Sequence, residues 1–505
     1  MHHEKTVAHQ VLEIGGMLSE PPSSILQSTV FADELASQKR LFHTVNLTDI
    51  AHTLVESRLG TIPRNSAVEL MEALLSLHAV EKLPVLDPSL GDVVTNREAL
   101  LHDKTSATAF LGAGRARRET INTGFILVIR QDVLRLGKNL CAMIERMLEV
   151  TSEHRLTIFP EYTYLQIAQP TTFGHYLSGF AFPAERDLQR LSELYIRLNR
   201  CVGGCGSSNG SRMPQDRLML ADLLGFRSLV EHARDAMWQA DLPVELGSCL
   251  AIIAVNLSRL AEDLMVYTTN EFGLIRLADR HCRASKIMPQ KRNPVGLSYL
   301  RNVANHMIGI QNALMASGRT PSGQMDSRLE AYRELPLAVD RVSSAVCLVE
   351  EILSGIEINE ANCRAKLQDS FAVATDLAEG LAMYGGLAFR DAHKVVGRLM
   401  ATVEKLGYSM DAIDANLVSD ISMEVLGRPL DIRNDILPFL MSADEAIRSR
   451  TVVGGAAPCR VLEMVEELKR RVAQHLVWLN ESEREIAFAE EQLLKEARRL
   501  ISEKL

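Results

Sequence analysis

The stretch ASKIMPQKRNP, residues 284–294, places a hydroxyl, three cations and an amide in a segment that two prolines interrupt. Proline withholds a backbone donor and disfavours helix for the residue before it. The stretch follows a long apolar helical pattern, so the chain breaks here into irregular backbone. The sequence therefore predicts a loop that presents Ser285, Lys291 and Asn293 to an anion.

Outside this loop, apolar residues recur at three- and four-residue steps, and alternating strand patterns are nearly absent. The predicted helical segments are 67–80, 123–150, 188–197, 251–277, 297–317 and 372–384. The longest pattern, from Val244 to Leu277, carries apolar residues on one side and charged residues elsewhere. A helix of this length needs neighbours on more than one side, which favours a homo-oligomeric bundle. The sequence predicts an all-α protein built around a long central helix bundle.

Prolines and glycines divide the chain into three predicted regions. We expect an N-terminal helical domain over 1–114, a central helix-bundle domain over 115–370 that carries the loop at 284–294, and a C-terminal helical domain over 371–505. The segment 481–505 is rich in Glu, Lys and Arg, which predicts a solvent-exposed terminal helix.

Composition narrows the classes of function. The chain has 505 residues, 24% of them charged with both signs interspersed, and a net charge of -9. This balance argues against nucleic acid or an anionic membrane surface as the main partner. No apolar run reaches the roughly 18 residues that span a bilayer, and no apolar signal segment follows the first residues. We therefore expect a cytoplasmic protein with no membrane partner.

The sequence contains no convincing cofactor motif. Its eight cysteines are sparse and irregularly spaced, which is typical of reduced thiols. Cys201 and Cys205 lack the second ligand pair that a zinc site requires, so we interpret them as small buried thiols beside a glycine-rich turn. The glycines at 112 and 114 follow no strand pattern and lack the Lys-Ser/Thr pair of a P-loop. Neither a metal nor a nucleotide cofactor is predicted.

The loop at 284–294 resembles the signature loop of the fumarase/aspartase superfamily, GSSxMPxKxNP, and its MPQK core is typical of argininosuccinate lyases. Two positions depart from that form, because Ala284 replaces Gly and Lys286 replaces Ser. Further matches extend the resemblance from about residue 91 to residue 467. They are GRARRET at 114–120, similar to GRSRNDQ, YTYLQIAQPTTFGH at 162–175, similar to YTHLQxAQPxxxxH, SRLAEDLMVYTTNEFG at 258–273 and ATDLAEGLAMYGGLAFRDAH at 374–393.

The resemblance implies a three-domain, all-α homotetramer whose central domains form one large helix bundle. Each active site would then combine residues from three subunits. The chemistry it implies is β-elimination from a small-molecule succinyl substrate, with release of fumarate. The proton that leaves is only weakly acidic, so a base must act together with preorganised donors that stabilise the developing dianion.

The resemblance assigns roles to residues of the loop. Ser285 matches the family's base, and a serine becomes basic enough only if cations and backbone N–H groups stabilise its alkoxide. Lys286 and Lys291 lie close to it in the loop and supply positive charge, while Lys291 and Asn293 match positions that hold the substrate carboxylate and order the loop. Lys286 is a rival for the role of base.

Two other motifs supply candidate substrate contacts. Arg117 matches the arginine that grips a succinyl carboxylate, a task for which a planar fork of donors is suited. Arg118 replaces an asparagine and is either a site residue or a surface charge. Thr163 and Gln166 match the threonine and glutamine of YTHLQ. Tyr164 replaces the histidine associated with protonation of the leaving nitrogen, and it either acts as the acid or only packs.

Further departures concern the substrate. The early D-x-H motif is represented by GDVVTNREALL at 91–101, without histidine, and PSTYNKD is represented by PSGQMDS at 321–327. The arginine of the SERD motif falls near Ala240. His175 is retained and is interpreted as structural, whereas His232 is a possible replacement proton carrier.

These observations favour an active carbon–nitrogen lyase that cleaves an N-succinyl compound other than argininosuccinate into fumarate and an amine. The retained polar residues support this hypothesis. A catalytically silent tetramer with a structural or regulatory role is the alternative that the missing histidine favours. Genuine argininosuccinate lyase activity is a third hypothesis.

Overall fold

The computed structural model describes residues 7–8, 10–321, 323–324, 326–407, 410–433 and 435–503. Helices make up most of these residues, which confirms the predicted all-α fold class. The α-helices are α1 Ser24–Leu26, α2 Ala32–Gln38, α3 Phe42–Leu59, α4 Arg64–His78, α5 Val93–His102, α6 Arg117–Glu153, α7 Phe173–Leu198, α8 Arg217–Leu223, α9 Ala233–Trp238, α10 Asp241–Tyr267, α11 Val295–Gly318, α12 Asp326–Leu353, α13 Glu360–Gln368, α14 Ala374–Gly385, α15 Phe389–Leu406, α16 Ala415–Leu426, α17 Leu437–Leu440, α18 Ala443–Ser449 and α19 Pro458–Ser502.

Short strands connect some of the helices. They are β1 Ile158–Thr163, β2 Gln166–Thr172, β3 Arg200–Cys201, β4 Ser228–Leu229, β5 Ile275–Leu277, β6 Arg283–Ala284, β7 Arg292–Asn293 and β8 Ile356–Ile358. They pair as β1 with β2, β3 with β4, β5 with β8 and β6 with β7, and only the β3–β4 pair is parallel.

The central bundle consists of α6, α7, α10, α11 and α12, which pack along one another. Helices α10 and α11 run antiparallel, since Gln311 Nε2 donates to Ser248 Oγ at 2.7 Å and a Cβ placed at Gly318 would lie 3.6 Å from the Ala240 Cβ. The buried residues of these helices belong to one continuous hydrophobic core that also includes α3 and α4. The chain therefore buries a long apolar interior, as the helical periodicity predicts.

Helix α6 fixes the distance between two candidate site segments. It contains 37 residues, so at 1.5 Å per residue it is about 55 Å long. Arg117 lies at its first turn, and β1 begins five residues after its last residue. The RARR segment, residues 115–118, and the YTYLQ segment, residues 162–166, consequently lie at opposite ends of the bundle.

Helix α10 ends ten residues earlier than the periodicity predicts, so the predicted end at Leu277 is wrong. The chain turns after Tyr267, where Leu274 N–H donates to the Tyr267 carbonyl at 3.0 Å. Gly273 has φ +59°, a conformation that glycine adopts without steric cost. The apolar residues Ile275 and Leu277 then form β5 instead of a further helical turn.

The hairpin β1–β2 is a feature that the helical pattern does not predict. Its strands pair antiparallel with Thr163 opposite Gln166, and a bulge lies between Pro160 and Tyr162. The bulge turns Phe159 and Tyr162 to the same side, where their rings contact Tyr267 at centroid distances of 5.3 and 5.8 Å. This aromatic contact attaches the hairpin to the end of α10.

The C-terminal part of the chain contributes to three hydrophobic clusters, the smallest of which joins Ile447 and Ala456 to Ile158 of β1. Residues of α14 to α17 form a separate hydrophobic cluster, whereas α19 returns to the main core and packs against α3, α4, α6 and α7. The predicted terminal helix forms, but the prediction that it is solvent-exposed is wrong for one face, where Ile486, Leu493, Ala497 and Leu500 are buried. The boundaries of the three domains stay a prediction.

One described helix, α10, is long and apolar enough by composition to span a membrane. Half of its most apolar window is buried inside this chain, and it packs against α7, α11 and α12. Burial of this kind is typical of the core helix of a bundle. The predicted absence of a membrane partner therefore stays a prediction.

Candidate active site

The signature loop is held at its base by a two-residue pair of strands. Asn293 Nδ2 donates to the Arg283 carbonyl at 3.1 Å, and Arg283 pairs with Asn293 in the β6–β7 ladder. Arg292 donates to the Leu277 carbonyl at 3.0 Å and forms an ion pair with Asp279. These contacts assign Asn293 to ordering the loop, one of the two roles that the resemblance implies for it.

Inside the loop, the Ser285 hydroxyl receives two backbone donors. Its Oγ accepts hydrogen bonds from the N–H groups of Met288 at 3.0 Å and Ile287 at 3.3 Å. Lys286 and Lys291 are exposed, and neither forms an ion pair with any residue that the structure describes. Two oriented amides stabilise negative charge on a hydroxyl oxygen, and two lysines in the same loop add positive charge to this part of the surface.

Tyr164 and Leu165 form the two-residue turn of the β1–β2 hairpin. Their φ angles are +54° and +57°, so both lie in the left-handed region that a type I′ turn requires. Side chains other than glycine, asparagine and aspartate adopt it at a cost of about 1–3 kcal/mol each. Tyr164 is 100% exposed. Thr163 and Gln166 close the turn as its last strand pair and are also exposed.

His175, at the base of this hairpin, is held by two hydrogen bonds. Its Nε2 donates to the Gly454 carbonyl at 3.1 Å, because a carbonyl can only accept, and its Nδ1 lies 3.0 Å from the Thr171 hydroxyl. The residue joins the start of α7 to the loop before α19. This geometry agrees with the structural interpretation of His175.

Two partly buried carboxyl groups lie behind the hairpin. Asp263 accepts a hydrogen bond from the Tyr176 hydroxyl at 3.1 Å, and burial raises its pKa above the ordinary value despite that bond. Burial likewise raises the pKa of Glu161, the residue at the bulge, although the N–H of Tyr162 opposes the shift. The foot of the hairpin therefore lies in a partly desolvated part of the protein, where the dielectric constant is lower than in water.

At the other end of α6, Arg117 and Arg118 are each paired within the chain. Arg117 Nε lies 3.0 Å from Asp92 Oδ2, and its Nη1 donates to Thr95 Oγ1 at 3.3 Å. Asp92 also caps α5 by accepting from Thr95 N–H at 2.8 Å. Arg118 donates to Glu34 at 3.3 Å and is mostly buried. Arg118 is thus not a free surface charge.

Arg115, two residues before Arg117, is not a surface charge either, because its side chain is only 6% exposed. Its guanidinium and that of Arg97 both donate to the Asp49 carboxylate, which is completely buried. Burial alone would raise the pKa of Asp49, but the two arginines outweigh it and hold the pKa below the ordinary value. Asp49 therefore clamps the RARR segment against α3 and α5. Sequence reasoning missed it because no motif marks a lone aspartate on an apolar helix.

Glu119 is a second organising residue that the sequence does not mark as functional. It is buried in the first turn of α6, and its carboxylate accepts from Gly204 N–H at 2.7 Å, Ser207 N–H at 3.2 Å and the Cys205 thiol at 3.2 Å. Cys201 and Cys205 are buried free thiols, as predicted. The glycine-rich loop at 201–211 consequently folds around the buried Glu119 carboxylate, next to the RARR segment.

A cavity of about 760 Å³ lies beside Arg117, between the N-terminal segment, α5 and the start of α6. Its lining includes Arg115, Arg117, Thr95 and Glu98, together with apolar residues of the N-terminal segment. Burial raises the pKa of Glu98, and the negative charges of Asp49 and Glu13 raise it further. Val94, at the place of the family's histidine, is part of the same wall.

The candidate site residues thus form two groups, one at each end of α6, within a single chain. Tyr162 of the hairpin packs at the end of α10, and the signature loop precedes α11 at that same end, where Glu351 of α12 pairs with Arg280. Arg117 and Arg118 lie at the other end of α6. His232, the possible replacement proton carrier, directly precedes α9 near that second end, is exposed and forms no side-chain capping bond. Residues 322 and 325 of PSGQMDS lie outside the described residues.

Comparison with known proteins places this arrangement in a family. A lyase family model matches residues 59–309, and an argininosuccinate lyase C-terminal model matches residues 371–445. Argininosuccinate lyase of Methanothermobacter thermautotrophicus is 30% identical over 450 residues, which is 88% of this chain and 95% of that protein. The chain belongs to the argininosuccinate lyase-like branch of the fumarase/aspartase superfamily. It is a carbon–nitrogen lyase.

Other members of this superfamily agree. Argininosuccinate lyase of Methanococcus vannielii is 31% identical over 478 residues, covering 92% of this chain and 96% of that protein. The structure of an EDDS lyase variant with bound fumarate superimposes with a TM-score of 0.86 at 24% identity, covering 96% of this chain and 97% of that one. A class II fumarase from Schistosoma mansoni superimposes with a TM-score of 0.67 at 13% identity, covering 87% and 94%. These structural similarities confirm the fold alone.

Proposed function

We propose that this lyase eliminates an amine from an N-succinyl compound other than argininosuccinate and releases fumarate. The observation that carries the proposal is the environment of Ser285, whose Oγ accepts hydrogen bonds from two backbone N–H groups. Lys286 and Lys291 follow it in the same loop and form no ion pair with a described residue. Serine turns of this kind also occur in loops without catalytic activity, so the support comes from their combination here with the two lysines and the signature motif. The environment of Ser285 thus favours an active enzyme over a silent tetramer.

The proposed reaction begins with Ser285 as the base. Its alkoxide removes the proton from the carbon next to a carboxylate, and Lys291 stabilises the charge that develops on that carboxylate. Thr163, Gln166 and Arg117 bind the carboxylates of the succinyl group, and Arg118 adds a second cation beside Arg117. The bond from carbon to nitrogen then breaks as the alkene of fumarate forms.

Tyr164 is proposed as the acid that protonates the leaving nitrogen. Its position at a turn with positive φ and its complete exposure leave it available to a substrate or a neighbouring subunit. Structural strain of this kind concentrates at functional sites. Phenols have a reference pKa of about 10, so a tyrosine is a slower acid than the histidine it replaces. Lys286 remains the rival for the role of base.

We further propose a cytoplasmic homotetramer in which each site combines segments of different subunits. The length of α6 supports this assembly, because one chain keeps Arg117 about 55 Å from the hairpin and the signature loop. A single succinyl group cannot contact both ends. Only segments from separate copies can bring Arg117, Thr163 and Ser285 together.

Genuine argininosuccinate lyase activity is the second candidate, and the similarity to archaeal argininosuccinate lyases favours it. The replacements Tyr164 and Val94 favour the first candidate, since each removes an imidazole that the family motif contains. No cofactor or metal is needed by either reaction.

The two candidates are distinguished by an assay of fumarate release at ultraviolet wavelengths. Argininosuccinate and a panel of N-alkyl aspartates serve as substrates. We expect fumarate from at least one N-alkyl aspartate, and little or none from argininosuccinate. Argininosuccinate as the best substrate, or growth of an arginine-requiring strain on this gene, would overturn the first candidate. Release from no compound would favour the silent tetramer.

A further inference from the structure

A second cavity lies in the groove between α7 and α19, and its volume is about 630 Å³. The two helices run side by side in the same direction, because Glu185 faces His475 and, further along both helices, Tyr195 faces Trp478. The described residues that line the groove include none of those that the motifs assign to catalysis or substrate binding. A ligand bound here therefore does not contact the proposed elimination site.

The floor of this groove is a buried carboxylate with one free acceptor. The Glu185 side chain is only 1% exposed. Its Oε1 accepts from Gln189 Nε2 at 2.7 Å and from His475 Nε2 at 3.3 Å. Its Oε2 lies 3.5 Å from Arg471 Nη1 but accepts no hydrogen bond from a described residue. Buried acceptors are normally satisfied, so Oε2 calls for a donor from a bound molecule.

The Tyr195 hydroxyl is a second buried polar group of the groove. Tyr195 is 3% exposed, and its Oη completes no hydrogen bond with a described residue, although Ser482 lies beside it. Its ring contacts Trp478 edge to face at a centroid distance of 5.6 Å. Ile196, which is 69% exposed, extends this apolar wall. The groove thus combines polar atoms at its floor with an apolar side.

Arginines line the rim of the groove. Arg470 and Arg471 both donate to Glu467 at 2.8 Å, and Arg227 donates to Glu485 at 3.0 Å. The three arginine side chains are between 36% and 65% exposed. Exposed ion pairs contribute little to stability, so these guanidinium groups can also donate to an anionic group of a ligand.

We propose that this groove binds a free α-amino acid with an apolar side chain. The ammonium group donates to Glu185 Oε2 at the floor, and the carboxylate accepts from Arg470 and Arg471 at the rim. Because Arg471 Nη1 lies 3.5 Å from Oε2, the two charges of an α-amino acid, which one carbon separates, reach both groups. The side chain of the ligand packs on Trp478 and Ile196. An amine alone leaves the rim arginines unused, and an acid alone leaves Oε2 without a donor.

The fluorescence of Trp478 makes this binding measurable, because the chain contains only two tryptophans. In full-length Trp238→Phe, the emission reports on Trp478 alone. The probes are L-leucine, 3-methylbutylamine and 4-methylpentanoate, which share one carbon skeleton and carry both charges, the cation only and the anion only. We expect a saturable change with L-leucine, and dissociation constants at least about tenfold higher for the other two, the effect of one charge-assisted hydrogen bond.

Two substitutions assign the charges, each made in the Trp238→Phe protein. Glu185→Gln should weaken L-leucine binding by about tenfold or more and leave 4-methylpentanoate binding unchanged. Glu490→Gln, the same change at a partly buried site elsewhere on α19, is the control and should alter neither. If Glu185→Gln does not fold, Arg470→Gln decides, since that side chain is 58% exposed. It should weaken L-leucine and 4-methylpentanoate but not 3-methylbutylamine.

Three results would overturn the proposal. The first is no saturable change with L-leucine up to about 20 mM. The second is L-leucine binding that is no tighter than binding of the amine or the acid alone. The third is equal L-leucine binding before and after Glu185→Gln. None of these measurements uses fumarate release, so each result leaves the proposed lyase activity standing.

Discussion

The two ends of α6 differ in how completely one chain satisfies its charged groups. At the N-terminal end, Arg115, Arg117 and Arg118 each have a carboxylate partner within the chain. At the other end, Lys286 and Lys291 are exposed without ion pairs among the described residues, and Tyr164 is fully exposed. The N-terminal end of α6, here called the prepared end, therefore holds its arginines in fixed positions by ion pairs within the chain. The other end, here called the reactive end, exposes groups that can act together with a second chain.

The largest expected effect concerns the reactive end. Ser285→Ala should lower the rate of elimination by about a hundredfold to ten-thousandfold, the usual contribution of a base. The loop is exposed, so the melting temperature should not change. Fumarate release and a thermal melt measure the two quantities, and Ser298→Ala, an exposed serine at the start of α11, is the control. Near-normal turnover in Ser285→Ala, together with loss of turnover in Lys286→Ala, would show that the side-chain amine of Lys286 is the base.

Mixing inactive variants tests whether the two ends come from different subunits. Arg117→Ala and Ser285→Ala should each be inactive alone, and co-expression should restore activity because some sites then combine the intact segments of both chains. About a quarter of the sites recover if subunits mix at random. Ser285→Ala with Lys291→Ala is the control, since both changes lie in one loop and no site escapes them. Equal recovery in both mixtures would contradict the shared-site assembly.

The prepared end is expected to depend on Asp49 for its stability. Asp49→Asn keeps the size of the side chain but leaves the buried guanidinium groups of Arg97 and Arg115 without their anion. Breaking a buried pair in this way costs about 3–5 kcal/mol. Denaturant unfolding measures this loss of free energy of unfolding. Glu72→Gln, the matched carboxylate-to-amide change at an exposed site on α4, is the control and should leave the unfolding midpoint unchanged. A stable Asp49→Asn protein would show that water or another group compensates the arginines.

The smallest effect concerns the strained turn. Leu165→Gly should increase the free energy of unfolding by about 1 kcal/mol, because glycine adopts positive φ without steric cost. The same change at Leu462, an exposed position inside α19, should decrease it by about 1 kcal/mol. Denaturant unfolding compares the two variants. A loss of stability in Leu165→Gly would mean that the side chain contributes more than its backbone strain costs.

The sequence predicts the helices well, since their apolar spacing depends only on which face is buried. It fails at the hairpin for a physical reason. Type I′ turns normally contain Asn-Gly or Asp-Gly, and Tyr164-Leu165 carries no such signal. The end of α10 was misplaced because Ile275 and Leu277 continue the apolar pattern after the backbone has turned.

The candidate residues were identified by motif, but their surroundings were not. The sequence shows that Ser285 needs backbone donors, and only the fold shows that Met288 and Ile287 supply them. The carboxylate partner of Arg115 is Asp49, 66 residues away in the chain, so no local pattern reveals it. The buried face of α19 was readable in principle, because Ile486, Leu493, Ala497 and Leu500 recur at helical spacing.

Helix α19 has a consequence for how the protein is made. It contains 45 residues and is about 68 Å long, and it joins early elements such as α3 through the ion pair of Arg58 with Glu496. Every element on which it packs is synthesised before it. The apolar surfaces of α3, α4, α6 and α7 that it covers are therefore uncovered while the ribosome completes the chain. A nascent molecule therefore exposes this long hydrophobic groove until α19 packs into it. During that interval the chain is most prone to aggregation and would benefit most from a chaperone.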